Sequence, residues 1–226
     1  MKLFWTKVCC FFHRIFAAVV HGVLHAAVLL AFRPKVYYES DLAKEEAFRE
    51  ASVLVCNHVW TLDFAAIRIA LSPTPIAAVI AQDMVDKYAS LRWLLKYYDH
   101  IAINRSATTM DLTWLRESRA CLKDGKSIFV CPEGQTNRKF GKVTQPFHAS
   151  FLAVPAMTGA LVVPVYHNGE YNWFHGKRFR MMVGEPIRLT PPPAGLTPQE
   201  LDREAKQLFE KVCELEEKLT GSVKKA

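Results

Sequence analysis

From Pro34 onward the chain alternates short apolar runs rich in Val and Ile with longer stretches whose apolar positions recur at helical spacing. The first pattern reads as buried strands and the second as amphipathic helices. Strands are predicted at Ser52–Cys56, Ile76–Ala81, Ile101–Asn104, Ser127–Cys131, Leu161–Tyr166 and Phe179–Val183. Helices are predicted at Leu62–Leu71, Val85–Tyr97, Thr109–Lys123, Phe147–Met157 and Pro198–Leu219. Some ends carry their own signals. Lys123 followed by Gly125 marks a helix C-terminus. Thr197-Pro198-Gln199-Glu200 is a capping box with proline at the first helical position. The helix it opens carries Leu201, Ala205, Leu208, Val212, Leu215 and Leu219 as one apolar stripe that would dock on the domain. Pro191-Pro192-Pro193 before it is a stiff connector. Strands alternating with helices imply an α/β fold, a mixed and largely parallel sheet flanked by helices. No internal repeat is present.

The N-terminus has a different pattern. An apolar run extends from Phe16 to Phe32, broken only by His21, Gly22 and His25 and flanked by Arg14 and Arg33. As a helix it is about 26 Å long, against about 30 Å of bilayer hydrocarbon. A cleaved signal peptide lacks its small-residue cleavage site here. A short transmembrane anchor and an in-plane helix both remain open, the latter with Phe4, Trp5, Phe11, Phe12 and Phe16 in the acyl boundary. A buried core helix is the plain alternative. Membrane attachment is the preferred expectation. Three parts follow: an N-terminal membrane-associated helical segment (1–35), an α/β domain (36–190), and a proline-rich connector with the C-terminal amphipathic helix (191–226).

Composition narrows the classes. Of the 226 residues half are hydrophobic and 23% charged, which excludes a disordered or fibrous chain. Lys and Arg number 29 against 22 Asp and Glu, a net charge of +7 that points to an anionic partner such as a membrane surface, a phosphorylated substrate or nucleic acid. The six cysteines form no C-x-x-C pair or disulfide framework and read as reduced thiols. No metal site is expected: Cys9, Cys10 and His13 lack a second ligand pair, and His21 with His25 lacks a third ligand.

In parallel α/β sheets ligands bind beyond the carboxyl ends of the strands, so the residues there carry the candidate chemistry. Asn57-His58 and Asp63 follow the first strand, Arg105 follows the third, and Pro132-Glu133-Gly134 with Arg138 follows the fourth. Residues five apart in one helix lie about 140° apart and would not meet. His58 and Asp63 can meet if His58 sits in the turn and Asp63 opens the helix. The carboxylate then takes one imidazole nitrogen and leaves the other as a base. No Gly-x-Ser-x-Gly elbow supplies a serine nucleophile, so the pair suits direct activation of a substrate hydroxyl. Cys56, two residues before His58, is read as core because adjacent strand positions face opposite sides. Taken singly, each motif has a plain alternative: a helix-start hydrogen bond, a surface Arg, a β-turn, an edge-strand proline.

Together the blocks resemble the 1-acyl-glycerol-3-phosphate acyltransferase superfamily. Asn57-His58 to Asp63 is similar to its Asn-His-x4-Asp motif, and Ile101-Ala102-Ile103-Asn104-Arg105 to its second. Phe129 to Gly134 is similar to the third, and Leu161-Val162-Val163-Pro164-Val165 to the fourth. All four occur in order over roughly residues 50–190. Two positions depart from the family pattern: Trp60 stands where a small hydroxyl residue is usual, and Gln135, Thr136 and Asn137 separate Gly134 from Arg138. The resemblance implies transfer of a fatty acyl group from acyl-CoA or acyl-carrier protein to the free hydroxyl of 1-acyl-glycerol 3-phosphate in phospholipid synthesis. It gives His58 and Asp63 the catalytic role. Arg105, Glu133, Gly134 and Arg138 become the acceptor phosphate site, and Pro164 an acyl-donor or structural residue. It calls for no cofactor. The expected partners are the acyl donor, a phosphorylated lysolipid and an anionic membrane surface at the cytoplasmic face of the cell membrane, with no nucleic acid. Glycerol 3-phosphate, a lysophospholipid or an amino-acid lipid are alternative acceptors, and a non-catalytic lipid-binding protein on the same fold is the alternative outside enzymology. The aromatic and basic cluster Tyr171, Trp173, Phe174, His175, Lys177, Arg178 and Arg180 is assigned to a loop near the membrane or the CoA moiety rather than to base stacking.

Overall fold

The structure, a computed structural model, describes residues 34–96, 98–104, 112–137, 143, 145–170, 178–189 and 196–224, with Val19, Gly22, Val23, Ala26, Ala27 and Leu30 before them. The strands are β1 (Lys35–Tyr38), β2 (Ser52–Cys56), β3 (Ile76–Ala81), β4 (His100–Ile103), β5 (Ser127–Val130), β6 (Leu161–His167), β7 (Arg180–Val183) and β8 (Ile187–Arg188). The helices are α1 (Asp41–Glu46), α2 (Asp63–Ala70), α3 (Gln82–Lys87), α4 (Ala89–Leu94), α5 (Leu112–Lys123), α6 (Ala153–Thr158) and α7 (Pro198–Lys224). One sheet runs in the order β1-β7-β6-β2-β5-β3-β4, with β8 also on β6. β6, β2, β5, β3 and β4 are mutually parallel, while β7 and β8 pair antiparallel with β6. The sheet is therefore mixed and largely parallel, as the alternation of elements implied. The carboxyl ends of β6, β2 and β5 come to lie side by side.

Strand pleating sorts the core into two layers. Val53, Val55, Ile128, Val130 and Val162 face one side with Leu152, Leu208, Val212 and Leu215. Leu54, Cys56, Phe129, Val163 and Val165 face the other with Phe64, Ile67, Leu91 and Phe179. Both faces of β2 are buried, which is why it reads as a continuous apolar run rather than an alternating one.

α7 begins as expected. Thr197 N–H donates to Glu200 Oε2 at 2.8 Å, and Glu200 N–H donates to Thr197 Oγ1 at 3.3 Å. Its stripe from Ala205 to Leu219 is buried, and Phe209 meets Phe147 edge to face at 5.5 Å. Lys211 and Lys218 of α7 pair with Glu39 beyond β1. Burial pushes the Glu39 carboxyl up, but the two lysines and the Glu185 N–H outweigh it and bring it down to about 2.

Four differences from the sequence reading have physical causes. The helix expected over Val85–Tyr97 is two helices. At Tyr88 the backbone turns extended (φ −113°, ψ 106°), and this one residue closes α3 and opens α4: its N–H donates to Met84, and its carbonyl accepts from Arg92. Tyr97 lies outside the described residues. The helix expected over Phe147–Met157 starts instead as a 3-10 turn (Ala149–Leu152) that runs into α6. β1 and α1 were not read at all: β1 is a partly exposed edge strand without the apolar run that reveals the equally short β5, and α1 makes fewer than two helical turns. β8 is only a two-residue pairing on β6. The connector at 191–193 and nearly all of the segment 1–33 lie outside the described residues. The six described positions in that segment are helical, and Val19, Val23 and Leu30 are exposed. Among the described residues no helix is long and apolar enough to cross a membrane.

Candidate active site

The turn after β2 is organised by one carboxylate oxygen. Asp63 opens α2, and its Oδ2 accepts from Val59 N–H at 2.7 Å and from Trp60 N–H at 2.9 Å. The chain thus wraps around the carboxylate and brings His58 back over it, with His58 Nδ1 2.9 Å from the same oxygen. This is the strand-to-helix placement that makes a five-residue spacing work. A carboxylate accepts only, so His58 Nδ1 carries the proton and Nε2 keeps a free lone pair. His58 remains partly exposed, whereas Asp63 is buried. Burial pushes the Asp63 carboxyl up. The opposing attraction of His167, joined by the hydrogen bond from His58, holds it well below the ordinary carboxylate range.

His167 escaped the sequence reading. It ends β6, is fully buried, and brings Nε2 to 3.4 Å from Asp63 Oδ2, an electrostatic contact outside hydrogen-bond geometry. Asn57 fixes it there: Asn57 Nδ2 donates to the His167 carbonyl and His167 N–H donates to Asn57 Oδ1, both at 2.9 Å. The Asn57 amide so extends the β2–β6 pairing beyond the last strand residue. The available signal was positional, since His167 lies on the same strand-end rim as His58, yet a histidine closing an apolar strand looks like core.

Glu133 comes from the turn after β5. Its Oε1 accepts from His58 N–H at 2.9 Å, so its carboxyl holds the histidine's backbone. It is buried, and Oε2 has no hydrogen-bond partner among the described residues. Burial is the main cause that pushes this carboxyl up, to about 7, with Asp63 adding to it and His58 opposing. Gly134 adopts φ +70°, and a Cβ there would stand 3.3 Å from the His148 ring, so the turn calls for glycine on both counts. Asn137 N–H donates to the His58 carbonyl at 2.6 Å. The three residues that separate Gly134 from Arg138 therefore carry the chain back across the histidine.

His58, Asp63, Glu133 and Gly134 thus gather on one rim. Arg105 and Arg138 lie outside the described residues. Pro164 is buried in β6, three residues before His167, at the point where the strand's neighbour changes from β8 to β7. Its missing N–H falls in that gap, and its carbonyl accepts from Gly184. Cys56 is buried in the core, as read, with its thiol pushed well up by burial; Cys131 is raised in the same way, which leaves neither as a thiolate. Among the described residues no three His, Cys, Asp or Glu side chains are grouped to hold a metal ion. The arrangement offers one base nitrogen at a partly open surface, backed by a buried carboxylate.

Comparison with known proteins agrees with this layout. The family model described as Acyltransferase matches residues 34–168, more than half of the chain. Among solved structures the chain is similar to PlsC, the 1-acyl-sn-glycerophosphate (LPA) acyltransferase from Thermotoga maritima. The TM-score is 0.56 at 21% identity, covering 84% of this chain and 73% of that one. At that identity the likeness speaks for the fold. No curated protein matches the chain.

Proposed function

The chain belongs to the acyltransferase family, and from that premise we propose that it moves a fatty acyl group from acyl-CoA or acyl-carrier protein to the free hydroxyl of 1-acyl-glycerol 3-phosphate, giving phosphatidic acid. The observation that carries the reading is the His58–Asp63 contact, 2.9 Å, with the other imidazole nitrogen left as a base. His58 Nε2 takes the proton of the acceptor hydroxyl, whose oxygen attacks the thioester carbonyl. The tetrahedral adduct collapses, the carbon–sulfur bond breaks, and the thiolate recovers the proton from His58. Asp63 holds the ring in the productive tautomer and stabilises the imidazolium that forms. Proton transfer positioned in this way is worth about 10²- to 10⁴-fold. A thiolate leaves readily, so no protein nucleophile is required.

The acceptor phosphate is assigned to Arg105 and Arg138 together with the Glu133-Gly134 turn, because guanidinium groups bind phosphate through two parallel hydrogen bonds. Glu133 serves that turn by holding the His58 backbone. Pro164 is assigned a structural role. The exposed helical positions Val19, Val23 and Leu30, with the cations flanking the apolar run, support attachment to an anionic bilayer at the cytoplasmic face. The deciding experiment supplies the purified protein in detergent with labelled acyl-CoA and a panel of acceptors: 1-acyl-glycerol 3-phosphate, glycerol 3-phosphate, neutral lysophospholipids and an amino-acid lipid. Transfer to the first above all others is expected. Preference for an unphosphorylated acceptor sinks the phosphate assignment, and a folded His58→Ala variant with full turnover sinks the mechanism.

A further inference from the structure

We propose that His167 is a positioning residue for the reaction: its Nε2, 3.4 Å from Asp63 Oδ2, shares the carboxylate's charge with His58 and keeps His58 from being over-stabilised as an imidazolium. The proposal rests on the reading of His58 as the base.

Protonation at His167 is fixed by its other side. Gly169 N–H donates to His167 Nδ1 at 3.1 Å, so Nδ1 is an acceptor and the proton of the neutral ring resides on Nε2. That Nε2 faces Asp63 Oδ2 at 3.4 Å, in full burial. The same oxygen receives His58 Nδ1. Two imidazoles from two adjacent strands therefore meet on one carboxylate. The more of its charge Asp63 spends on His167, the less it attracts a second proton onto His58. The other groups around the pair are the Val59 and Trp60 N–H groups, which donate to the same Asp63 oxygen, Glu133 from the turn after β5, which touches the His58 backbone, and the protonated thiols of Cys56 and Cys131. The two backbone donors stay in any side-chain variant, so a change at His167 is read against a constant background.

The geometry around His167 is held from three directions. Asn57 clamps its backbone to the end of β2. Phe179 lies against its ring, centroids 5.3 Å apart. Gly169 packs so closely on Val59 that a Cβ would come within 2.5 Å of Cγ1. The turn after β6 is thus pressed onto the turn after β2, with the His167 ring buried beside Asp63.

Two substitutions separate the ring's two bonds. His167→Asn places a carbonyl where Nδ1 was and keeps an acceptor for Gly169, but has no donor long enough for Asp63. His167→Gln reaches Asp63 with its amide N–H. The full-length protein in detergent is titrated by NMR at the His58 ring, and kcat and KM are measured against pH. In His167→Asn the His58 midpoint and the acid limb of kcat should both move to higher pH by about half a unit or more. Its kcat should fall about tenfold, at the weak end for a hydrogen bond to a charge, with KM unchanged. His167→Gln should restore both. A His58 midpoint unmoved in folded His167→Asn overturns the proposal, as does a His167→Gln variant no better than Asn. Should neither variant fold, the unaltered protein still decides: ¹⁵N shifts must show the Nε2–H tautomer of His167, and the Nδ1–H tautomer overturns it. A shifted His58 midpoint in a protein that acylates no acceptor supports the coupling of the two imidazoles and rejects the acyl-transfer reading instead.

Discussion

Asp63 accepts both N–H groups of the turn and the His58 ring on one oxygen, so replacing it by Asn tests its charge separately from folding. Asp63→Asn keeps an oxygen for Val59 and Trp60 N–H and for the His58 ring but loses the negative charge that stabilises the imidazolium. We expect kcat to fall by about 10²- to 10⁴-fold, with KM changed little and circular dichroism unchanged. A folded variant at near wild-type rate would remove Asp63 from the mechanism. Glu133 permits a different test, by stability. Its folded carboxyl titrates near 7, raised above the ordinary value of 4.5. Between those values the native state holds a proton that the unfolded chain has released, so stability declines as pH rises through that window and levels off above it. Gln has no proton to lose and keeps an oxygen for His58 N–H. Glu133→Gln should therefore gain stability relative to wild type on going from pH 5 to pH 8, on the order of 1–3 kcal/mol. Thermal melts at the two pH values check this, and an equal difference at both would show that Glu133 is ionised throughout.

At the scale of the element, the site depends on two turns brought into contact. Gly169 has φ +63°, a conformation that side chains with a Cβ seldom adopt, and sits directly over Val59. Gly169→Ala meets both the backbone penalty and the clash, so the β6 turn must lift from the β2 turn. A loss of about 1–3 kcal/mol in stability is expected, together with lower activity. The added substitution Val59→Ala should recover part of both, because it removes two of the three atoms that the new methyl meets. If the double variant is no better than Gly169→Ala alone, the close approach is not what the glycine serves. Tyr88 shows the same dependence on local backbone: one extended residue splits the segment into two helices and ends the reading of a single helix.

At the scale of the whole molecule, substrate and product under the proposed reading are lipids, and the rim carrying His58 has to reach a bilayer. The segment 1–33 combines an apolar run with flanking cations, and nearby Lys and Arg each add about 1 kcal/mol of attraction to an anionic surface. Removing residues 1–32 should shift the protein toward the soluble fraction. It should also depress turnover of long-chain acceptors more than of short-chain, water-soluble ones. Retention of the truncated protein in the membrane fraction through high salt and alkali would place the anchor elsewhere. The domain itself should remain folded, because among the described residues its two core layers draw on residues from Val36 onward.

Periodicity alone determined the central strands, the α2, α5 and α7 helices and the layered α/β class, because buried strands and amphipathic helices write their burial into the order of residues. Two motifs at strand ends likewise announced His58, Asp63, Glu133 and Gly134 as neighbours, since parallel strands deliver their carboxyl ends to one rim. The sequence left β1, α1 and β8 unread because none is long or apolar enough to repeat its pattern visibly. It missed the break at Tyr88 because a single extended residue leaves the apolar spacing intact. Only the tertiary structure decided that His167 shares Asp63 with His58. The two histidines are 109 positions apart, and their meeting depends on β6 lying next to β2, with Asn57 joining the two strand ends. No local pattern encodes that adjacency, because it is set by how the sheet is ordered and not by what stands beside each residue in the chain.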